Sequence, residues 1–335
     1  MFRSRLVDSR SMKILFAGGG TLGPVTPLLA VKEAWEKIDR DIDWLWVGTK
    51  EGPERQLVEA SGFRFFSIAM ARLPRYPSIE WIALPFRFIA AFCQAFSIVR
   101  RNRPALVGVA GGFTGVPLAY AAWLLNVPVW VHQTDARPVL SNRICAQIAS
   151  LITVAWEETS VAFTSKKTRV VGNPVRASLL AADRDQARKR FGFDASRPCV
   201  FVFGGGAGAA WMNQLFVKLA PELIQRANVV HVTGRGKMSP FLAAHAPRYR
   251  AFELLLGSEM ADAYAVADVV VCRGGIGTIT ELSALSKPAI VVPIRESIQE
   301  ANARVLALHD AAIVLDQATT DVVSMRAAIF NMLEN

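Results

Sequence analysis

The chain carries two glycine-rich turns, one in each half, that could bind a phosphate or another polar ligand group. The first, at 18–23 (GGGTLG), follows the apolar run 14–16, and the second, at 204–209 (GGGAGA), follows the apolar run 200–203. Each pattern predicts a strand, a glycine turn and a helix, which brings backbone N–H groups and a helix N-terminus close to a ligand. One such turn is a weak indication, because tight turns also use glycine for shape alone. Two of them, one per half, predict a pair of Rossmann-like domains that face a shared cleft.

The elements that must position these turns alternate along the whole chain. In the first half we expect strands at 14–17, 44–47, 65–68, 106–109, 129–132 and 151–154, with helices that include 24–37 and 115–125. In the second half we expect strands at 199–203, 229–232, 269–272 and 289–293, with helices near 210–226, 277–285 and 299–310. Short apolar strands between helices indicate an α/β fold with parallel sheets covered on both faces.

A domain boundary is expected where proline and glycine interrupt this pattern, near 171–174 (VGNP). We therefore assign residues 1–175 to an N-terminal domain and residues 176–318 to a C-terminal domain, each Rossmann-like. The remaining residues, 319–335, are expected to form a C-terminal helix that can pack back on the N-terminal domain.

Composition and charge narrow the class of partner. The chain has 335 residues, of which 52% are hydrophobic and 20% charged, a composition typical of globular domains. The net charge of +10 suits nucleic acid, an anionic membrane or a phosphorylated substrate. Because the sequence has no nucleic-acid-binding motif, we do not expect nucleic acid as a partner. The four cysteines and four histidines are scattered, so neither a metal nor another cofactor is expected.

The segment Ile79–Phe92 is apolar and aromatic and has arginines beside it. It is long enough to suggest a membrane span, but Pro85 and Arg87 argue against one, because an arginine inside a membrane is costly. Two alternatives stay open. The segment can lie in the interface of an anionic membrane through its tryptophan and phenylalanine side chains, or its apolar stripe can pack on the sheet.

A series of ordered motifs resembles the MurG family of glycosyltransferases. They are GGGTLGPVTPLLAV (18–31), VGTKEGPERQLVEASGF (47–63), GGFTGVPLAYAAWLLNVPVWVHQTDA (111–136), VGNPVR (171–176), FGGGAGAAWMNQ (203–214), MADAYAVADVVVCRGGIGTITELSALSKPAIVVPI (260–294) and QEANARVL (299–306). The resemblance implies a GT-B fold whose N-terminal domain takes a lipid-linked acceptor and whose C-terminal domain takes UDP-N-acetylglucosamine. The implied reaction is inverting transfer of N-acetylglucosamine to the muramoyl 4-hydroxyl of lipid I, which gives lipid II for peptidoglycan synthesis.

The same resemblance implies a peripheral location on the cytoplasmic face of the cell membrane, and other cell-wall enzymes as partners. It also implies which residues bind the donor. Glu281 matches a glutamate that accepts the ribose hydroxyls, and Arg176 matches an arginine that pairs with the diphosphate. Gln299 and Asn302, three apart and so on one helix face, match a polar segment that binds the acetamidosugar. The other expected substrate-binding residues are Gly20, Thr21, Leu22, Gly23, Asp135, Gly206, Ile276, Gly277 and Thr278.

The chain departs from the family pattern at the expected catalytic base. Pro24 stands where the family usually has a histidine, Asp135 where it has an asparagine, and Gly206 where it has a serine. Asp135 follows the strand that ends at His132, at the carboxyl edge where open α/β sheets bind their ligands. We therefore expect Asp135 to be the general base, with His132 as the rival candidate. The alternatives are that Asp135 only caps the next helix and that His132 is a buried strand-end residue.

Other functions remain open from the sequence. The missing histidine is compatible with a nucleotide-sugar or lipid-diphosphate binding protein that has lost catalysis. A related transferase with another lipid acceptor would carry the same motifs, and a sugar-nucleotide epimerase would share the two-domain plan.

Overall fold

The computed structural model describes residues 11–20, 22–52, 54–69, 80–205, 208–243 and 245–334. Its internal contacts divide the chain into two compact units. The first unit holds the chain up to Thr134 together with Pro138–Gly172, and the second holds Asp135–Arg137 together with everything from Asn173 onward. By its contacts, a short segment of the N-terminal half therefore belongs to the second unit.

The first unit is built around a parallel sheet. Its strands are β1 (Met12–Ala17), β2 (Ile42–Gly48), β3 (Arg64–Ser67), β4 (Leu106–Val109), β5 (Val129–Gln133), β6 (Leu151–Val154) and β7 (Thr168–Val170). Its helices are α1 (Thr26–Trp35), α2 (Glu54–Ala60), α3 (Glu80–Asn102), α4 (Gly115–Leu124), α5 (Leu140–Ala146) and α6 (Glu157–Ser160). The strand order is β3-β2-β1-β4-β5-β6-β7, and every neighbouring pair is parallel. The order reverses direction between β1 and β4, so the first glycine turn, which follows β1, lies where such sheets bind ligands.

Both faces of this sheet are buried, which explains why its strands read as continuous apolar runs. Successive residues of a strand point to opposite faces, so Ile14 and Phe16 pack on one side with Leu28 of α1. Leu15 points to the other side, into a core that includes Ala95 of α3. The glycine turn after β1 is thereby fixed to a strand that helices cover on both sides.

The second unit repeats this architecture. Its strands are β8 (Cys199–Phe203), β9 (Asn228–Val232), β10 (Tyr249–Phe252), β11 (Val269–Cys272), β12 (Ala289–Val291) and β13 (Ile313–Val314). Its helices are α7 (Ala177–Leu180), α8 (Arg184–Phe191), α9 (Ala210–Arg226), α10 (Pro240–Ala243), α11 (Ser258–Val266), α12 (Ile276–Ala284), α13 (Ile298–Leu308) and α14 (Val322–Glu334). The parallel strand order is β10-β9-β8-β11-β12-β13. The expectation of two Rossmann-like α/β domains is confirmed.

The C-terminal helix α14 packs differently from the sequence expectation. Met325 and Ile329 have no exposed surface and lie in the core of the second unit. Arg326 also forms an ion pair with Glu222 of α9, at 2.9 Å. The helix that we expected on the N-terminal domain is therefore part of the second unit, because its apolar stripe fits the face of α9.

Helix α3 contains most of the segment Ile79–Phe92. Ile79 and the side chains of residues 80–83 lie outside the described part of the structure. Ala91 and Ala95 are buried against the sheet, whereas Phe86 is 73% exposed and Ile89 is 60% exposed. One side of α3 thus packs as a core helix while the other presents large apolar side chains to the surface. No helix in the described ranges combines the length and the apolar character needed to cross a membrane.

Candidate functional site

The first glycine turn is held by a buried carboxylate that the sequence analysis did not single out. Glu54, at the start of α2, has no exposed surface and accepts hydrogen bonds from the Gly20 N–H at 3.2 Å and the Thr49 N–H at 2.7 Å. A Cβ added to Gly19 would come within 2.5 Å of the Glu54 carboxylate. Any side chain at position 19 would therefore have to displace the Glu54 carboxylate, whether or not a ligand binds the turn.

The other predicted residues of this turn lie just before α1. The Leu22 carbonyl accepts from the N–H groups of Val25 and Thr26, which starts the helix, and Gly23 is half-buried beside it. Thr21 lies outside the described residues.

The second glycine turn connects β8 to α9 in the second unit. Gly205 and Gly208 have φ angles of +80° and +68°, a conformation that favours glycine. A Cβ on Gly208 would also lie 2.8 Å from the Gly234 Cα atom, so the turn approaches neighbouring backbone closely. Gly206, the residue expected to face a ligand, lies outside the described residues.

The two predicted ligands of the nucleotide diphosphate are paired with each other. Arg176 Nη2 lies 3.3 Å from Glu281 Oε1, and both side chains are only 12% exposed. The Tyr264 hydroxyl donates to Glu281 Oε2 at 2.8 Å. Burial raises the pKa of Glu281, while the charge of Arg176 and the hydrogen bond from Tyr264 act in the opposite direction. The Arg176 Nε atom is buried and has no hydrogen-bond partner within the described part of the chain.

The turn 273–275 between β11 and α12, called the donor loop after the donor-binding residues predicted next to it, lies close to the remaining predicted residues. Ile276, Gly277 and Thr278 form the first turn of α12, where backbone N–H groups have no partner inside the helix. Gln299, in the first turn of α13, is half-buried, and its Oε1 atom accepts from the Ile294 N–H at 3.1 Å. A Cβ on Gly274 would lie 2.7 Å from the Gln299 carbonyl oxygen, so glycine allows the loop to approach α13.

Asn302 has different partners from those expected of a sugar ligand. Its side chain has no exposed surface. Its Nδ2 atom donates to Asp135 Oδ1 at 2.9 Å, and its Oδ1 atom accepts from the Ala136 N–H at 3.1 Å. This buried amide therefore contacts the segment Asp135–Arg137 rather than a surface open to an acetamidosugar.

The two candidates for the general base differ in exposure. The His132 ring has no exposed surface in the first unit, and its Nδ1 atom lies 2.8 Å from Thr153 Oγ1. Asp135 is half-buried in the second unit, so part of it reaches the surface. This placement favours Asp135 over His132 as the group that meets a substrate.

An apolar cavity of about 500 Å³ lies in the first unit between α3, α4 and α5. Phe88, Ile89 and Phe92 of α3 line one side, and Trp123 and Leu124 at the end of α4 line another. Trp123 is 50% exposed and Leu124 is 54% exposed. The exposed apolar side of α3 therefore continues onto the end of α4.

Comparison with known proteins identifies both units. Residues 14–154 match the glycosyltransferase family 28 N-terminal domain, and residues 199–335 match the glycosyltransferase family 28 C-terminal domain. A Bacillus cereus (strain ATCC 10987 / NRS 248) protein is named UDP-N-acetylglucosamine--N-acetylmuramyl-(pentapeptide) pyrophosphoryl-undecaprenol N-acetylglucosamine transferase 2. It is 33% identical over 282 residues, which cover 84% of this chain and 79% of the relative. This chain belongs to glycosyltransferase family 28.

Two further family 28 comparisons cover almost the whole chain. A Lachnospira eligens protein with the same transferase name, without the final numeral, is 31% identical over 321 residues, or 95% of this chain and 90% of the relative. The crystal structure of Acinetobacter baumannii MurG has a TM-score of 0.69 and 25% identity, and the match covers 97% of this chain and 91% of that one. The resemblance to the MurG family is confirmed.

The family 28 C-terminal domain also contains a buried arginine, in the turn after β11, whose side-chain contacts the sequence did not predict. Arg273 is 7% exposed, donates to the Val292 carbonyl at 3.0 Å, and places its guanidinium 5.6 Å from the centre of the Trp211 ring. Burial lowers its pKa. Its contacts tie the end of β11 to the end of β12 and to the first turn of α9, which follows the second glycine turn. A charged residue directly after the apolar strand 269–272 was the available signal.

Proposed function

We propose that this chain transfers N-acetylglucosamine from UDP-N-acetylglucosamine to the muramoyl 4-hydroxyl of lipid I, with inversion, to give lipid II in peptidoglycan synthesis. The names of the family 28 relatives support the donor and the acceptor. The observation that carries the proposal is the buried pair of Glu281, in α12, and Arg176. This pair combines a hydroxyl acceptor and a diphosphate partner within the second unit.

On the donor, the charges of this pair suit the two parts of a nucleotide diphosphate. A carboxylate such as that of Glu281 accepts hydrogen bonds from both hydroxyls of a ribose. The Arg176 guanidinium can turn from Glu281 to the diphosphate, with which it forms short charge-assisted hydrogen bonds. The N–H groups of Ile276–Thr278 add the positive end of the α12 dipole, and Gln299 can bind the acetamido group.

For the transfer step, we assign the general base to Asp135. The acceptor oxygen forms a bond to the anomeric carbon while the bond from that carbon to the diphosphate oxygen breaks. UDP leaves from the opposite face, which inverts the configuration. The proton of the attacking hydroxyl goes to the Asp135 carboxylate, and general base catalysis of this kind contributes typically about 100- to 10,000-fold.

A peripheral position on the cytoplasmic face of the cell membrane completes the proposal, because the acceptor is lipid-linked. Phe86 and Ile89 expose large apolar side chains on α3, and the exposed Arg87 lies between them. Trp123 and Leu124 extend the same apolar surface from α4. An apolar surface with arginines beside it suits the interface of an anionic membrane.

The proposal is tested by incubating the protein with lipid I and a panel of UDP-sugars. Release of UDP and formation of lipid II only with UDP-N-acetylglucosamine is the expected result. A second candidate function, nucleotide-sugar binding without catalysis, is favoured by Pro24 in place of the family histidine. Tight binding of UDP-N-acetylglucosamine without UDP release would support that candidate and reject the transferase.

A further inference from the structure

A single buried amide connects the proposed base to the donor loop. Besides Asp135 Oδ1 and the Ala136 N–H, Asn302 contacts the Gly274 carbonyl oxygen, to which its Nδ2 atom donates at 3.4 Å. Asp135 and Asn302 are 167 residues apart in sequence, so this contact exists only in the folded chain. Both hydrogens of the Asn302 amide nitrogen and its oxygen thereby have partners.

The chemistry of these partners fixes the orientation of the amide. The Ala136 N–H can only donate, so the atom that faces it must be the amide oxygen. An ionised carboxylate and a carbonyl can only accept, so the amide nitrogen must face Asp135 and Gly274. A reversed amide would oppose like groups at every contact. Since Asn302 has no exposed surface, water could not replace the lost hydrogen bonds.

We propose that Asn302 is a positioning residue, which holds the Asp135 carboxylate in place and ties it to the donor loop through Gly274. This inference rests on the proposed function, in which Asp135 accepts the proton of the acceptor hydroxyl. An amide N–H that donates to a carboxylate stabilises its ionised form, which is the form a general base needs. The same bond limits the rotation of the Asp135 side chain, so the base keeps a constant position relative to the bound donor.

The other charged groups on the same elements are Arg137, Arg273, Glu300 and Arg304. Arg273, next to Gly274, donates to the Val292 carbonyl, and its guanidinium lies 5.6 Å from the centre of the Trp211 ring. Glu300 and Arg304 of α13 are exposed, as is Arg137 in the segment of Asp135. Asn302, by contrast, is neutral and fully buried, and it donates to the Asp135 carboxylate.

Asn302→Asp tests the inference, because it changes the charge without changing the size of the side chain. The new carboxylate can still accept from the Ala136 N–H, but it cannot donate to Asp135 or Gly274. Two carboxylates in contact raise the pKa of the pair. We expect kcat to fall by about tenfold or more at neutral pH, and the acid limb of the pH profile to move up by about one unit or more. Glu300→Gln, on the exposed face of α13, is the control and should leave both unchanged.

The exchange variant Asp135→Asn/Asn302→Asp separates positioning from stability. It restores an amide–carboxylate contact with the two groups exchanged, although not the bond to the Gly274 carbonyl, so it should recover part of the Tm lost in Asn302→Asp but not the rate. In the Asp135→Asn background, adding Asn302→Asp should cost little further rate, because the base is already absent. If Asn302→Asp does not fold, Asn302→Ser removes the bond without adding charge and should lower kcat while UDP affinity is kept.

Four results would overturn the inference in an enzyme whose wild type is active. The first is an acid limb of the pH profile that does not move in Asn302→Asp, and the second is an equal loss of rate from Asn302→Asp in the parent and in the Asp135→Asn background. The third is recovery of the rate in the exchange variant, and the fourth is full kcat in Asn302→Ser. Failure of the proposed function is a different result, since the wild type itself would then release no UDP from UDP-N-acetylglucosamine and lipid I.

Discussion

Glu281→Ala perturbs the proposed ribose ligand and a buried ion pair at the same time, and the two effects can be measured separately. The substitution leaves the Arg176 guanidinium, whose side chain is 12% exposed, without its carboxylate. It also removes the acceptor of the Tyr264 hydroxyl, which donates to Glu281 at 2.8 Å. Tyr264 is fully buried and Arg176 is largely buried, so solvent can replace only a small part of the lost contacts.

The expected loss of stability follows from this burial. Removing one partner of a buried ion pair costs about 3–5 kcal/mol, because the remaining charge is uncompensated. Some solvent reaches Arg176, so we expect about 3 kcal/mol, or a fall in Tm of roughly 6–12 °C for a domain of this size. Glu222→Ala is the matched control in the same unit. It breaks the exposed pair with Arg326 and should cost about 1 kcal/mol or less.

The expected loss of UDP affinity is smaller than the loss of stability. Two ribose hydroxyls lose their acceptor, which costs about 1–3 kcal/mol, or about 5- to 150-fold in Kd. In the variant, Arg176 has no carboxylate partner and can pair with the bound diphosphate instead, which offsets part of the lost affinity. We therefore expect about a tenfold rise in Kd, measured by titration calorimetry at a temperature where the variant is folded. A lower Tm with unchanged UDP affinity would show that Glu281 is structural and would refute the ribose assignment.

Four further predictions follow from the same geometry. Under single-turnover conditions, Asp135→Asn should lower the chemical rate by about 100-fold or more without changing donor affinity, whereas His132→Gln should not lower this rate. A nearly full rate in Asp135→Asn would reject Asp135 as the general base. Phe86→Glu with Ile89→Glu should abolish binding to anionic vesicles, which in the parent should weaken with salt, and equal binding by the folded variant would reject this surface. Burial raises the pKa of Glu281 above 4.5, so the folded state binds the proton of this carboxyl more tightly than the unfolded state does. The contribution of Glu281 to the free energy of unfolding therefore falls as pH rises from about 4.5 through the raised pKa. Glu281→Gln should remove that slope from the unfolding free energy, and an unchanged slope would assign it to another group. Since the glycine turns have no aspartate pair or histidine cluster beside them, activity should be full in EDTA, and its loss would contradict a reaction without metal.

The sequence determined the class of fold because its strongest signals are local. Buried parallel strands read as short apolar runs, so β1 and β8 were predictable, and glycine after each run indicated the turns. Strands β7, β10 and β13 were not predicted. All three are short and lie at the edges of the sheets. β7 (TRV) is mostly exposed and β10 (YRAF) contains an arginine, so neither shows a continuous apolar run, and β13 has only two residues.

The candidate donor ligands were also predictable from the motifs, but their contacts were not. Arg176 and Glu281 are 105 residues apart in sequence, and only the fold brings them together as a pair. Glu54 looked like an ordinary charged residue of a helix, although it is fully buried against the first glycine turn. Pairings of this kind depend on which elements pack together, and no local pattern carries that information.

Gln299 and Asn302 show most directly what only the tertiary structure decided. Their spacing of three residues predicts that they share one face of a helix, and both do lie in α13. The spacing could not tell which neighbours cover that face. The fold leaves Gln299 half-buried near the donor loop and encloses Asn302 completely against Asp135 and Ala136. Burial is a property of the packed chain, because it is set by residues that are distant in sequence. The spacing alone therefore could not show that Asn302 is enclosed against Asp135 and Ala136.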